Sequence, residues 1–173
     1  MKRLFVFALL VGALLASTAS ATDLMNNKYG TITISDSGIV SKGSQLVYFE
    51  GIVPPAKEAL GSVSFTVGEL ISGTIEGGGI FSHVDSSFVV VGDGYEGVPS
   101  GTIFAGHFDG EVHWTLLSQQ GPNLIFSLRG NVTGVLYTGE TVSLDTNQTM
   151  ATTVQEIGNG KANIVKGKLI TYP

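Results

Sequence analysis

Residues 106–114 read GHFDGEVHW, with two histidines, an aspartate and a glutamate inside nine positions. Imidazoles beside carboxylates either bind a divalent metal ion or move protons near neutral pH. Which of these the cluster can do depends on where the backbone sends each side chain.

The Asp109-Gly110 pair marks a hairpin. A two-residue loop there gives the two flanking strands opposite parity and mixes apolar with polar residues on both faces. A three-residue loop, Phe108-Asp109-Gly110 with Gly110 in the left-handed region, preserves parity. One face then holds Phe104, Val112, Trp114 and Leu116. The other holds Ala105, His107, Glu111, His113 and Thr115. The second register segregates apolar from polar and is the expected one. Trp114 is expected to be buried, and Glu111 to sit opposite His107 across the hairpin.

An exposed pair of this kind contributes little to stability. It holds a metal only with a further ligand from another strand, His83 or Asp85. The metal-ligand candidates are therefore His83, Asp85, His107, Glu111 and His113. The expectation is a solvated surface, with a surface divalent metal as the alternative. No catalytic or cofactor-binding residue is assigned.

Other motifs are less productive. Gly92-Asp93-Gly94-Tyr95-Glu96-Gly97 fits G-x-G-x-x-G after an apolar run. A dinucleotide site needs a helix to start there, because its N-terminus holds the pyrophosphate. Val98-Pro99-Ser100-Gly101-Thr102-Ile103 reads instead as a turn and a strand. Asp85, Asp93 and Glu96 are oxygen donors of the type calcium takes, without EF-hand spacing. There is no G-x-S-x-G elbow and no H-E-x-x-H. Carboxylate pairs for glycoside hydrolysis carry no local signature, since any two strands can bring them together. Tyr48, Tyr95 and Tyr137 are candidates for an exposed sugar-stacking face.

The elements that must position these residues are strands. Val63, Phe65 and Val67 alternate with serine and threonine. Leu124, Phe126, Leu128, Val132 and Leu136 share one parity, with Ser127, Arg129, Asn131 and Thr133 on the other. Val142 and Leu144 alternate with Thr141, Ser143 and Asp145. Further strands are expected at 29–35, 45–52, 72–76, 87–91, 101–108, 111–118 and 161–172, with Gly and polar clusters between them. One short connecting helix is expected at 54–60, where two prolines precede Ala, Lys, Glu and Leu.

The chain opens MKRLFVFALLVGALLASTASA. Lys2 and Arg3 precede an apolar run from Leu4 to Leu15, and Ala19-Ser20-Ala21 fits a small-x-small cleavage site. The expectation is a signal peptide over 1–21, cut before Thr22, and one all-β domain over 22–173 that is secreted or periplasmic. After the leader no apolar run is long enough to span a bilayer. The formal net charge is −5, and losing the two basic leader residues makes the mature chain −7. An acidic domain is repelled by phosphate backbones, so nucleic acid is not the expected partner. The absence of cysteine excludes disulfides and thiol chemistry. Asn131-Val-Thr133 and Asn147-Gln-Thr149 are sequons that matter only in a glycosylating secretory pathway.

The run Gly97-Val98-Pro99-Ser100-Gly101 followed by Phe104-Ala105-Gly106-His107-Phe108-Asp109-Gly110-Glu111-Val112-His113-Trp114-Thr115-Leu116 resembles uncharacterised secreted bacterial all-β proteins. Their pattern is a G-V-P-x-G turn before F-x-G-x-F-x-G-x-V-x-W-T-L. Residues 60–68 and 126–130 fit the same style. The resemblance implies an all-β fold and export, and it assigns His107, Asp109, Glu111 and His113 no role.

The expected architecture is an antiparallel β-sandwich, with a partly closed β-barrel as the alternative. The expected function is a non-enzymatic binding or structural module contacting an unknown protein or glycan. The alternative is a hydrolase or metal-dependent enzyme whose site is assembled from separated strands. A pocket holding two carboxylates or clustered histidines favours the enzyme, and a flat Thr/Ser face favours the module.

Overall fold

The computed structural model describes residues 21–55 and 58–171. The leader expected over 1–21 therefore falls, up to residue 20, outside the described residues.

The fold is all-β and the sandwich expectation is wrong: the strands close on themselves. The ring runs β1 (Thr22–Lys28), β4 (Ser44–Phe49), β5 (Gly61–Val67), β8 (Ser87–Asp93), β9 (Ser100–Phe108), β11 (Asn123–Leu136), β12 (Thr141–Thr153) and β13 (Lys161–Thr171). Every neighbour in it is antiparallel, and β13 returns to β1 with Thr22 opposite Thr171. Closure pairs every strand edge of the ring, which a sandwich leaves open.

Five peripheral strands continue the barrel wall. β2 (Thr31–Ser35) and β1 share one edge of β13, and β3 (Gly38–Lys42) and β4 both pair with β5. β6 (Leu70–Thr74) pairs with β7 (Gly78–Phe81), which pairs with β10 (Val112–Gln120). β12 covers one edge of β11 along its length, so β9 and β10 lie end to end along the other.

This arrangement removes the expected hairpin at 106–114. The chain does not reverse at Asp109-Gly110; it steps outward and continues in the same direction. Phe108 is opposite Val132 and His113 is opposite Arg129. Five steps on β9–β10 match three on β11, so two residues are extra, a β-bulge. Asp109 stays tied to β11 by its N–H donating to Asn131 O (2.8 Å), and Gly110 takes φ +92°. Two extra residues preserve parity. Hence the expected faces hold although the expected turn does not: Phe104, Phe108, Val112 and Trp114 are buried, and His107, Glu111 and His113 are exposed.

Aromatic side chains fill the interior. Phe65 stacks on Phe88, Phe104 and Phe108 meet Phe88 edge-on, and Trp114 lies flat on Phe126 with ring centres 4.4 Å apart. Eight strands leave a bore that side chains can fill. The indole N–H of Trp114 donates to Ile75 O at 2.8 Å. One polar island interrupts this core: Asn27, Ser44, Thr146 and Gln148 are buried and hydrogen-bonded to one another.

The expected helix at 54–60 is not helical in its described part; Glu58 N–H donates to Pro55 O in a turn. A helix appears instead as α1 (Val154–Gly158), with Thr153 as N-cap accepting from Glu156 N–H and Ile157 buried beneath it. The signal was present: Thr153-Val-Gln-Glu156 has the spacing of a capping box.

Candidate functional site

The two-residue bulge pushes Asp109 and Glu111 out over the barrel wall. Opposite them, outward-facing positions of β11, β12 and β13 come level in register: Arg129 beside Asn147 beside Lys168, and Asn131 beside Asp145 beside Ile170. Between bulge and wall lies a depression of about 410 Å³, lined by Asp109, Glu111, His113, Arg129, Gly130, Asn131, Asp145, Thr146, Asn147 and Ile170. Its size is that of a small-ligand site.

Hydrogen bonds hold part of this lining in place. Asn131 Nδ2 donates to Asp145 Oδ1 (3.1 Å), and Ser143 Oγ donates to Asn131 Oδ1 (2.7 Å). Thr133 Oγ1 donates to Asp109 Oδ2 (3.3 Å). Asn147 Oδ1 is buried with no hydrogen-bond partner among the described residues. Arg129 is exposed, and the ion pair found among the described residues, Lys168 with Asp23 at 2.6 Å, does not involve it. Glu111 and His113 are exposed. The site thus combines three carboxylates, one imidazole and one guanidinium from three strands and a bulge.

The metal candidates do not converge. Glu111 and His113 line the depression. His107 faces outward on β9 opposite Thr133 and is not among the lining residues. His83 and Asp85 lie in the link between β7 and β8, with Asp85 in a separate depression beside Ser37, Val67 and Glu69. Glu111 does not stand across a hairpin from His107, because there is no hairpin. Among the described residues no three His, Asp or Glu side chains are grouped to hold a metal ion. Asp85 and Asp93 stand at opposite ends of β8, so they do not share a calcium loop.

Of the glycine triad at 92–97, Gly92 is still in β8, and Gly94 and Gly97 lie in the turn into β9, with Glu96 at φ 53°. Tyr95 in that turn meets Glu58: a hydrogen bond to that carboxylate, with burial and the charges of Glu58 and Glu96 adding, pushes the phenol up to about 12. Tyr137 packs edge-on against Phe49 at 6.0 Å, and Tyr48 lies on β4 opposite Asn26. The three tyrosines stand on separate elements.

Arg129, Asn131, Asp145 and Asn147 were not singled out as site residues by sequence reasoning. Parity put Arg129, Asn131 and Asp145 on outward faces, but only cross-strand register brings them beside the bulge. Both sequon asparagines lie in this lining, half-buried, and the Asn131 amide nitrogen is already engaged by Asp145.

Among the described residues no helix is long and apolar enough to cross a membrane. No family model, no curated protein and no solved structure matches the chain.

Proposed function

We propose that this chain is an exported hydrolase that uses carboxylate acid–base chemistry in the depression between the β9–β10 bulge and the outer wall of β11–β13. The observation that carries this is that Asp109 and Glu111 of the bulge and Asp145 of β12 line one depression. Paired carboxylates split the work of hydrolysis: one protonates the leaving oxygen and the other takes a proton from the attacking water. Glu111 on the bulge and Asp145 on the wall line the depression from two elements, so one can serve the leaving oxygen and the other the attacking water. Asp145 is oriented through Oδ1 by Asn131, which leaves Oδ2 for the base. No step needs a metal ion. Export rests on the leader pattern, and β1 begins at Thr22, the residue before which that pattern places the cut.

The test is turnover of a panel of chromogenic glycosides and esters by the mature protein. Glu111→Gln and Asp145→Asn should each lower the rate at least about a hundredfold, the usual scale for a positioned acid or base. Turnover equal to wild type in both variants, or none on any substrate, sinks the hydrolase proposal.

A second proposal is binding without turnover at the same depression, by a module contacting a glycan. The exposure of Glu111 and His113 favours it, since a solvated carboxylate lacks the dry surroundings that strengthen proton transfer.

A further inference from the structure

We infer that the depression takes an uncharged, hydroxyl-rich ligand, a neutral saccharide, and that Arg129 is its specificity-determining donor. This rests on the depression being the working site, as proposed above, and not on whether turnover occurs there.

Arg129 is the only arginine among the described residues, and it lies in a pocket that also holds Asp109, Glu111 and Asp145. None of these carboxylates comes within ion-pair distance of it, for the ion pair among the described residues is Lys168 with Asp23. A guanidinium presents five donors in a fixed fork. Arg129 lines the same depression as acceptors that are also uncommitted. Asn147 Oδ1 is buried without a partner, and Glu111 takes part in none of the side-chain hydrogen bonds that organise the wall.

Charge then selects among ligand classes. Three carboxylates against one guanidinium make the lining acidic, on a domain that is itself acidic. An anionic ligand meets repulsion from both. A cationic ligand satisfies the carboxylates but leaves Arg129 without an acceptor and facing a like charge. A saccharide hydroxyl donates and accepts at once. It can give its proton to Asp145 or Glu111 and take one from Arg129, and it carries no charge to be desolvated. Ile170 adds an apolar patch on which the C–H side of a sugar ring can rest.

The experiment is equilibrium binding of neutral hexasaccharides of glucose, xylose and N-acetylglucosamine to the mature protein, read by calorimetry and by amide chemical shifts. Oligogalacturonate and oligolysine serve as the anionic and cationic comparisons. At least one neutral hexasaccharide should bind, with shifts at Arg129, Asp145 and Asn147. Arg129→Met should weaken it by about tenfold or more, the scale of a lost hydrogen bond from a charged donor. Arg129→Lys should recover part of the loss. Unchanged Trp114 fluorescence in both variants establishes that the fold persists. Three results overturn the inference: no neutral hexasaccharide binds at millimolar concentration; oligogalacturonate or oligolysine binds more tightly than all of them; or Arg129→Met binds as wild type does. The two proposals fail separately. Binding without turnover sinks only the hydrolase, and turnover of a chromogenic ester without saccharide binding sinks only the saccharide.

Discussion

Asn27 and Gln148 face each other inside the barrel and exchange two hydrogen bonds, Asn27 Nδ2 to Gln148 Oε1 at 2.9 Å and Gln148 Nε2 to Asn27 Oδ1 at 3.2 Å. The pair joins β1 to β12 across the intervening β13. It fits because position 167 of β13 is glycine: a Cβ there would run into both Gln148 Oε1 and Asn27 Oδ1. Ser44 and Thr146 complete the network. Gln148→Leu should destabilise the protein by about 1–3 kcal/mol, because it leaves the buried Asn27 Oδ1 without a donor. Gly167→Ala should cost about 1–3 kcal/mol by overpacking the same spot. Urea denaturation measures both, and a wild-type midpoint in either variant would refute this account.

Trp114 is the single tryptophan of the chain, buried against Phe126 and hydrogen-bonded to Ile75 O. Its fluorescence should be that of an apolar site and shift to longer wavelength on unfolding. Trp114→Ala should cost about 3–5 kcal/mol, the range for emptying a large aromatic site in a core. A solvent-like emission maximum in the native protein contradicts the burial.

Gly110 stands at φ +92° with open space where a Cβ would be. Gly110→Val should therefore cost only backbone strain, roughly 1 kcal/mol, without a packing penalty. Gly110→Asn should cost less, since asparagine tolerates the left-handed region. Thermal melts of the two variants rank them; a larger loss for asparagine than for valine is the wrong order.

His107 and His113 are exposed on the outer wall and belong to no metal-holding group among the described residues. His107→Ala and His113→Ala should each change stability by less than about 0.5 kcal/mol. Zinc should leave the melting temperature of the wild type where it is. A zinc-dependent rise that disappears in either variant would place a metal at this face.

The Glu58 carboxylate beside the Tyr95 hydroxyl favours the protonated phenol and pushes it up to about 12. Glu58→Gln should bring the phenol back toward 10, the usual tyrosine value, so phenolate absorbance from Tyr95 appears at lower pH. Ultraviolet titration of the variant against Glu58→Asp follows this; an identical curve for wild type and Glu58→Gln would show that the contact is not made.

Much of the architecture is written in period-two alternation. Val63, Phe65 and Val67, the even positions from Leu124 to Leu136, and Trp114 all face the interior as their parity demands, because side chains alternate across a strand whatever its neighbours are. The same local rule placed Gly110 in the left-handed region, since a hairpin loop and an outward bulge both need a residue there. Parity says which way a side chain points and nothing about which strand lies alongside. That choice is made by hydrogen-bonded edges far apart in the chain. Closure of β13 on β1 turned a sandwich into a barrel. The long free edge of β11 gave β10 a partner in line with β9, so Asp109-Gly110 bulged where a turn was expected. The depression depends on the same edges: only their register brings Arg129 of β11 and Asp145 and Asn147 of β12 beside Asp109 and Glu111.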